Sequence, residues 1–371
     1  MRKATATILV LLIPFLAFSL DTYFSGETSV NMLVSVPPVE DAGRITSTNL
    51  VQNLELSAFS DTTTLKLKGG FSYNLQSGAF SPYMEEAYAD LFIGSLSFRA
   101  GLQQISWGTA EMMSAVDVPC PSDMSDPVNM RKLAVGALKA SYDAFPFAMD
   151  LYWIPVFTPT ALPSSMSPGF EIQGPEAKLG NSEFAAKMSA YTSAGDFSLY
   201  GYYGWEDIPS IGIDFTTTPP TPYGEYDRLM MLGASAAVPV GQVTLKGEAA
   251  WYPERDAVAS ASAGLEWIHD DLTLITEAYG EWNKEDESLS GQFGASISYD
   301  LLDSDLQINL SGIVEIEKWD GLAEFGVECS ITDELSISAD LVYAFEGPDE
   351  AGTYGAFKDL DCLALQLTYS F

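Results

Sequence analysis

Charged side chains recur at positions of the same parity in several long segments of this 371-residue chain. Glu324 and Glu328 share this spacing on an acidic segment, and Lys66 and Lys68 share it on a basic one. Because alternate residues of a strand share a face, each set presents its charges to one side. Rows of charge attract or repel ions and orient polar molecules, but they break no bonds by themselves.

The balance of charge excludes one class of partner. The chain carries 51 acidic and 17 basic residues, a formal net charge of -34. A surface this negative is repelled by phosphate backbones, so we expect no nucleic-acid partner. The chain is also 47% hydrophobic, which is enough apolar material for a large fold and excludes a disordered acidic protein.

Catalytic and metal-binding chemistry finds little support in the sequence. The chain has one histidine, His269, and it lies in a His-Asp-Asp run where a turn is predicted. Since nucleophilic catalysis usually needs such a base beside the nucleophile, we expect no enzyme activity. The acidic clusters at 346–350 and 359–361 lack the spacing of a dedicated calcium loop, so we predict no metal site and no cofactor. Three cysteines cannot form a complete disulfide framework.

The segments that carry these charges have the pattern of strands. From Cys362 to Phe371, large apolar residues alternate with Ala, Gln, Thr and Ser, which is period two. Such segments are about ten residues long, as needed to cross a bilayer at a tilt. Many apolar faces end in an aromatic residue, as an interfacial girdle does: Trp251, Trp267, Trp282, Tyr299, Tyr343 and Tyr369. We predict an all-β fold, a transmembrane antiparallel up-and-down β-barrel.

Two classes of connection alternate along the chain. Short turns are predicted at 60–62, 94–95, 143–145, 194–196, 240–241, 269–271, 303–304 and 332–334. Longer connections lie between them, at roughly 37–49, 75–84, 107–130, 156–180, 206–226, 253–257, 283–289, 317–319 and 346–358. Short periplasmic turns and longer outer loops are typical of a single-chain barrel. Eighteen strands fit this rhythm and sixteen fit nearly as well, because the first strand, 28–36, is the weakest.

The first residues predict export. Arg2 and Lys3 precede an apolar run, and small residues at Ala17 and Ser19 place a signal-peptide cleavage after Ser19. No other segment reaches the 18 or so apolar residues of a spanning helix. We therefore expect a signal peptide over 1–19 and one barrel domain over 20–371 in the bacterial outer membrane.

The polar face of the strands predicts the lining of a water-filled lumen, since side chains alone cannot fill so large a barrel. Basic residues on one wall and acidic residues on the other set up a transverse field, and the acidic excess predicts a preference for cations. The alternative is that these charges only solvate the interior and pair with one another. The lining residues expected on the strands are Lys66, Lys68, Arg99, Lys187, Glu248, Glu277, Asp300, Glu324 and Glu328.

The third outer connection, 107–130, is the most distinctive local sequence. Its prolines and aspartates predict a compact, turn-rich loop. In porins generally the third loop often folds inward and narrows the channel, and here such a loop would line the constriction. The alternative is a loop over the barrel mouth. The residues expected at the constriction are Glu111, Asp117, Asp123 and Asp126.

Part of this region resembles a known pattern. The stretch Gly101 to Gly108, with its Gln-Gln pair before Trp-Gly, precedes Asp117 and a Pro-x-Asp that ends at Asp123. This arrangement resembles outer-membrane barrels of the porin and alginate-export kind, and 153–159 resembles their second block. The resemblance implies an outer-membrane channel. It implies no particular substrate, because this chain has Val-Pro-Cys-Pro where those proteins usually place Asn-Pro.

Four tyrosines carry a weaker hint about solutes. Tyr152, Tyr191, Tyr200 and Tyr202 fall on one face of neighbouring strands, where aromatic rings can stack on sugars. The alternatives are that these rings pack under an inward loop or belong to the opposite face after a register slip.

The sequence thus predicts a passive porin-like channel for small hydrophilic solutes. Its expected partners are outer-membrane lipid and, through the aromatic C-terminal strand ending at Phe371, the barrel-assembly machinery. A homotrimer is one assembly open to it. Two alternatives remain: a FadL-like transporter of hydrophobic compounds, which needs an N-terminal plug and an apolar pocket, and a plugged structural or adhesive surface barrel.

Overall fold

A computed structural model describes residues 20–37, 43–124, 131–162, 170, 172–216, 221–254, 257–284, 287–348, 352, 354–355 and 361–371. Eighteen long strands within these residues form one sheet. In chain order they are β1 (Asp21–Ser35), β2 (Ile45–Phe59), β3 (Thr63–Asn74), β4 (Phe80–Ile93), β5 (Leu96–Gln103), β6 (Val135–Ala144), β7 (Phe147–Ile154), β8 (Glu183–Thr192), β9 (Gly195–Trp205), β10 (Arg228–Val240), β11 (Val243–Trp251), β12 (Ala257–His269), β13 (Leu272–Asn283), β14 (Ser288–Leu301), β15 (Leu306–Glu315), β16 (Gly321–Thr332), β17 (Leu335–Phe345) and β18 (Cys362–Ser370).

The sheet closes on itself. Each strand pairs antiparallel with the next, and β1 pairs with both β2 and β18. Val30, for example, lies opposite Leu50 on one side and Leu367 on the other. The prediction of an antiparallel barrel with eighteen strands is therefore confirmed, and the count of sixteen is wrong. The first strand is longer than predicted, because it begins at Asp21 and spans 15 residues.

Period-two alternation sorts the side chains between two environments. On β11, Leu245 and Trp251 are exposed on the outer surface, whereas Glu248 and Ala250 are buried inside. A belt of outward apolar side chains suits contact with lipid hydrocarbon. Five of the six predicted girdle aromatics are exposed: Trp251, Trp282, Tyr299, Tyr343 and Tyr369. The sixth, Trp267, stacks on His269 with ring centroids 5.6 Å apart.

The connections separate by length as predicted. Each of the eight short turns coincides with a tight link between two strands, while the longest links, 104–134, 155–182 and 206–227, lie at the other end of the barrel. A short hairpin, Ser210–Asp214 with Thr221–Glu225, extends from the last of these. Among the described residues no helix is long and apolar enough to cross a membrane. The predicted signal peptide, 1–19, lies outside the described residues and stays a prediction.

Candidate functional site: the barrel interior and its third loop

The connection 104–134 between β5 and β6, called the third loop here, folds into the barrel. Its Trp107 is 4% exposed and its Val116 is 0% exposed. Trp107 packs on Tyr200 of β9, with ring centroids 5.0 Å apart. The loop therefore lies against the inner wall instead of standing over the mouth.

The backbone of this loop is irregular between residues 104 and 121, so its amides have no partners in a helix or strand. Buried amides need acceptors, and a carboxylate on the wall supplies them. Glu248 of β11 accepts hydrogen bonds through Oε1 from the backbone N–H of Thr109 and of Ala110, the latter at 2.8 Å. Its Oε2 accepts from the N–H of Ala115 at 2.8 Å and from the hydroxyl of Ser114 at 2.7 Å.

A second wall carboxylate binds the residues between these. Glu277 of β13 accepts from the N–H of Glu111 at 2.6 Å through Oε1. Its Oε2 accepts from the N–H of Met112 at 2.9 Å and of Met113 at 3.0 Å. Successive amides converging on one anion form the concavity known as a nest. The two glutamates together hold residues 109–115 on the wall.

Side chains flanking this segment complete its attachment. The Tyr200 hydroxyl accepts from the N–H of Gly108 at 3.2 Å, and the Tyr252 hydroxyl donates to the carbonyl of Ala115 at 3.0 Å. Gly108 has φ 93°, a conformation that side-chain-bearing residues rarely adopt. A Cβ there would also lie 2.7 Å from the Ser114 hydroxyl. Glycine is therefore required at this bend.

The loop crosses the interior. It leaves the wall at the end of β5 and is bound on β13, which is the eighth strand further around a ring of eighteen. Strands so far apart in a closed ring lie on nearly opposite walls. The segment 104–115 thus divides the interior of the barrel.

One side of this division is filled by apolar side chains. We call it the sealed sector; it comprises the third loop and the inner wall of β6 to β11. Its buried members include Ile105, Trp107, Ala115, Val116, Cys120, Val135, Ala137, Tyr152, Ile154, Ala185, Tyr200, Tyr202, Leu229, Met231, Ala250 and Tyr252.

The sealed sector accounts for three of the four tyrosines that sequence suggested as a sugar-stacking track. Tyr152, Tyr200 and Tyr202 are buried in it. The Tyr200 ring packs on Trp107, and the Tyr202 hydroxyl donates to Glu183 at 2.8 Å. These rings pack under the inward loop, so the prediction of an accessible track is wrong for them. Tyr191, near the short-turn end of β8, is exposed.

Three of the four predicted basic residues are already paired with carboxylates. Lys66 lies 3.1 Å from Glu86, and Lys68 lies 2.8 Å from Glu85. The same holds for Arg99, which lies 2.7 Å from Asp90 and stacks over the Tyr88 ring at 3.7 Å. The described part of the chain gives Lys187 no such carboxylate; its ammonium lies 5.7 Å from the centroid of Tyr200. On β3 to β5, therefore, the described residues form no basic wall without counter-charge of the kind that the transverse field requires.

Acidic residues without cationic partners line the wall on the other side. We call the inner face of β14 to β17 the polar wall. Glu324 and Glu328 are exposed there, and no described cation lies within ion-pair distance of either. Asp300 accepts from the amide of Gln307 at 2.9 Å, and Asp340 accepts from the hydroxyl of Ser338 at 3.2 Å. Among the described residues, no cation neutralises the carboxylates of this wall.

The acidic residues of the third loop bind nearby cations. Glu111 lies 2.7 Å from Lys246, which is also bound by Glu266 at 3.0 Å. Asp117 binds Lys132 and accepts from the N–H of Trp107 at 3.0 Å. Asp123 lies 3.3 Å from Arg131. Asp126 lies outside the described residues.

Glu248 and Glu277 differ from the role that sequence gave them. They were expected to line an open channel, but they are 5% and 1% exposed. This prediction is wrong because parity places a side chain inside the barrel without saying whether water or a loop covers it. Their carboxylates hold loop amides in place of water.

Two further carboxylates of the same type were missed by sequence reasoning. Glu183 is buried at the start of β8 and accepts from the N–H of Trp205 at 3.1 Å. Asp320 is buried just before β16 and accepts from the N–H of Tyr354 at 2.8 Å. Burial, with Asp320 and Glu315 nearby, raises the pKa of Tyr354 to about 12. An acidic residue where a strand meets a loop is the signal that would have identified both.

The cysteines form no disulfide. Cys120 is buried in the sealed sector, and its sulfur accepts from the N–H of Ile105 at 3.1 Å. Burial raises the pKa of this thiol to about 11, so it stays protonated and unreactive at neutral pH.

Comparison with known proteins identifies the type of fold. No family model and no curated protein matches the sequence. Among solved structures, OccAB3 of Acinetobacter baumannii superposes with TM-score 0.56 at 8% identity, covering 95% of this chain and 99% of that one. Pseudomonas aeruginosa OccK2 (OpdF), solved in complex with glucuronate, gives TM-score 0.56 at 10% identity, covering 95% and 97%. At such identities the likeness shows the fold, a porin-like β-barrel of the outer-membrane type.

Proposed function

We propose that the protein is an outer-membrane channel for the passive diffusion of small hydrophilic solutes. The observation that carries the proposal is the division of the interior by the third loop. The loop is bound to the far wall by Glu248 and Glu277, and the polar wall across from the sealed sector presents exposed carboxylates. A loop fixed in the lumen narrows it, and a hydrated polar wall suits solutes that keep their water.

The narrowest part of this channel lies between the third loop and the polar wall. Two groups of side chains bound it: Glu111 on the loop, and Asp300, Glu324 and Glu328 on the wall. Since the basic residues of β3 to β5 are neutralised by their own carboxylate partners, the field in the passage is negative. The channel therefore prefers cations.

The test is single-channel recording of the refolded mature protein, residues 20–371, in a planar bilayer under a salt gradient. Steady ohmic steps with a cation-selective reversal potential are expected. Anion-selective steps would keep the channel and overturn the charge assignment. Anion selectivity would make this protein similar to OccK2, whose structure contains the anion glucuronate.

Absence of steps from folded, inserted protein would overturn the channel and favour one of two other barrels. A transporter of hydrophobic compounds needs an apolar pocket and an N-terminal plug. Here the apolar cluster is filled by the third loop, and the described chain enters β1 at Asp21, so none of the described residues forms such a plug. A plugged surface barrel is the remaining alternative.

The proposed partners follow from the barrel surface and its seam. Lipid covers the outward apolar belt, and the aromatic C-terminal strand ending at Phe371 is recognised by the barrel-assembly machinery. A homotrimer is tested by crosslinking the protein in native membranes, where a ladder ending at three copies is expected.

A further inference from the structure

Six backbone amides of the third loop converge on two carboxylates. Those of Thr109, Ala110 and Ala115 bind Glu248, and those of residues 111–113 bind Glu277. We propose that the segment 109–115 is a carboxylate-binding site made of backbone amides, that Glu248 and Glu277 are its resident ligands, and that their occupancy holds the loop against the wall. The site itself does not depend on the proposed channel function.

The amides are the main compensation for burying these two charges. An uncompensated buried carboxylate is strongly unfavourable. Among the described residues no lysine or arginine lies within ion-pair distance of Glu248 or Glu277. Lys246 lies on the same strand as Glu248, but it is bound by Glu111 and Glu266 instead. The loop backbone therefore replaces water around both carboxylates.

The hydrogen-bond donors of this site suit any carboxylate, not only the side chain of a glutamate. Every donor in it is an N–H group, apart from the hydroxyls of Thr109 and Ser114 on Glu248. A carboxylate offers two accepting oxygens to such donors, whereas a glutamine amide places an NH₂ donor against one set of them. Removing either side chain down to Cβ leaves the amides without an acceptor and leaves space for a small carboxylate such as formate.

The experiment is hydrogen exchange, followed by mass spectrometry, on the refolded barrel and on the variants Glu248→Ala and Glu277→Ala. Retention of the heat-modifiable gel mobility shows that each barrel is folded. We expect the amides of 109–115 to exchange at least about tenfold faster in each variant, because hydrogen bonds to a charged acceptor are lost. Sodium formate is expected to restore protection, and sodium chloride at equal ionic strength is not.

Two further variants make the result specific. Glu281 is a second inward carboxylate on β13, and it accepts a hydrogen bond from the Tyr279 hydroxyl instead of from the loop. Glu281→Ala should therefore leave the amides of 109–115 protected. Glu277→Gln keeps the side-chain volume, so it serves if the alanine variant fails to fold. In Glu277→Gln the amides of 109–115 should exchange faster, and formate should not slow their exchange. Unchanged exchange in Glu248→Ala and Glu277→Ala, or a loss in these two variants that formate and chloride affect equally, would overturn the site.

Conductance gives an independent reading of loop position. If the wild-type protein forms steady channels, Glu277→Ala should show frequent brief closures as the released loop enters the open passage, and formate should suppress them. Closures in the variant that formate leaves unaffected would contradict the binding site. A silent wild-type protein would overturn the proposed channel, whereas the exchange experiment would still decide the site.

Discussion

The sealed sector and the polar wall face each other across one barrel, and both derive from strands with the same alternation of side chains. Glu248, on the wall of the sealed sector, and Glu277, on β13, are both buried and bound to loop amides. On the polar wall, Glu324 and Glu328 remain exposed without a described cation. The difference lies in what covers each wall, an irregular loop or water. Inward parity is therefore a weak guide to the role of a charged residue.

The two walls also differ in how a carboxylate is stabilised. A glutamate exposed to water keeps most of its hydration energy, and its charge acts on the solvent around it. A buried glutamate needs several hydrogen-bond donors that point at its carboxylate, and its charge holds those donors in place. The following predictions test this contrast, in order of decreasing effect.

A new charge should distinguish the two walls most strongly. Val116 is 0% exposed, so Val116→Asp places a carboxylate among apolar side chains without partners, at a cost of about 3–5 kcal/mol. The loop should detach from the wall, which hydrogen exchange of 109–118 would detect. The matched variant on the polar wall, Ser336→Asp, lies opposite Ser330 and Thr368 and should change the stability of the barrel by less than about 0.5 kcal/mol. Equal effects in the two variants would contradict the division into a sealed and a hydrated side.

Neutralising the polar wall should alter selectivity without altering stability. The double variant Glu324→Gln, Glu328→Gln removes two exposed charges, and the cation-to-anion permeability ratio should fall roughly twofold or more. The reversal potential under a salt gradient measures this ratio. The control is Lys66→Gln, which frees Glu55 and Glu86 from their cation and should raise the ratio. A cation-to-anion permeability ratio that changes in the same direction in the double variant and in Lys66→Gln would contradict the assignment of these charges to the passage.

The effect on the barrel interior is expected to be smallest for pH, because the group that titrates lies at the rim above the sealed sector. Burial, together with Glu183 and Glu206, raises the pKa of Asp207 to about 8. Its usual value of 3.8 is regained when the loop opens, so the closed loop binds the proton more tightly than the open one. The free energy of opening should therefore fall as pH rises from about 4 to about 8, then level off.

Hydrogen exchange of residues 206–216 across this range measures the opening, after correction for the intrinsic pH dependence of exchange. Asp207→Asn removes the titrating group and should abolish the slope while leaving the loop closed. A slope that persists in the variant would assign the pH dependence to other groups.

Much of the fold was predictable because it depends on local patterns. Alternation fixed the strands, and the eight short turns were found where the sequence places polar or glycine-containing links. The first strand was underestimated because Asp21 to Glu27 mixes polar and aromatic residues without regular alternation. Pairing with both β2 and β18, which no local pattern shows, completes it.

The interior was predictable only in part. Parity assigned Glu248 to the inside, but the amides that bind it lie more than a hundred residues earlier in the chain. Such a contact depends on the path of an irregular loop. The sequence of an irregular loop has no periodicity from which that path could be predicted. The pairing of Lys66 and Arg99 with carboxylates on adjacent strands depends on register, which turn positions fix only approximately.

The seam between β1 and β18 bears on how the barrel forms. Val30 lies opposite Leu367, and the N–H of Phe371 donates to the carbonyl of Gly26 at 2.9 Å. The other strand pairs join neighbours in sequence and have low contact order, whereas this one joins the two ends of the chain and has the greatest loop-closure entropy to overcome. The hairpins can therefore form in succession, but two sheet edges stay unpaired until the last strand arrives. Closure of the seam is expected to be the late, slow step of folding, and a chain stopped before β18 to be the species most prone to edge-to-edge association.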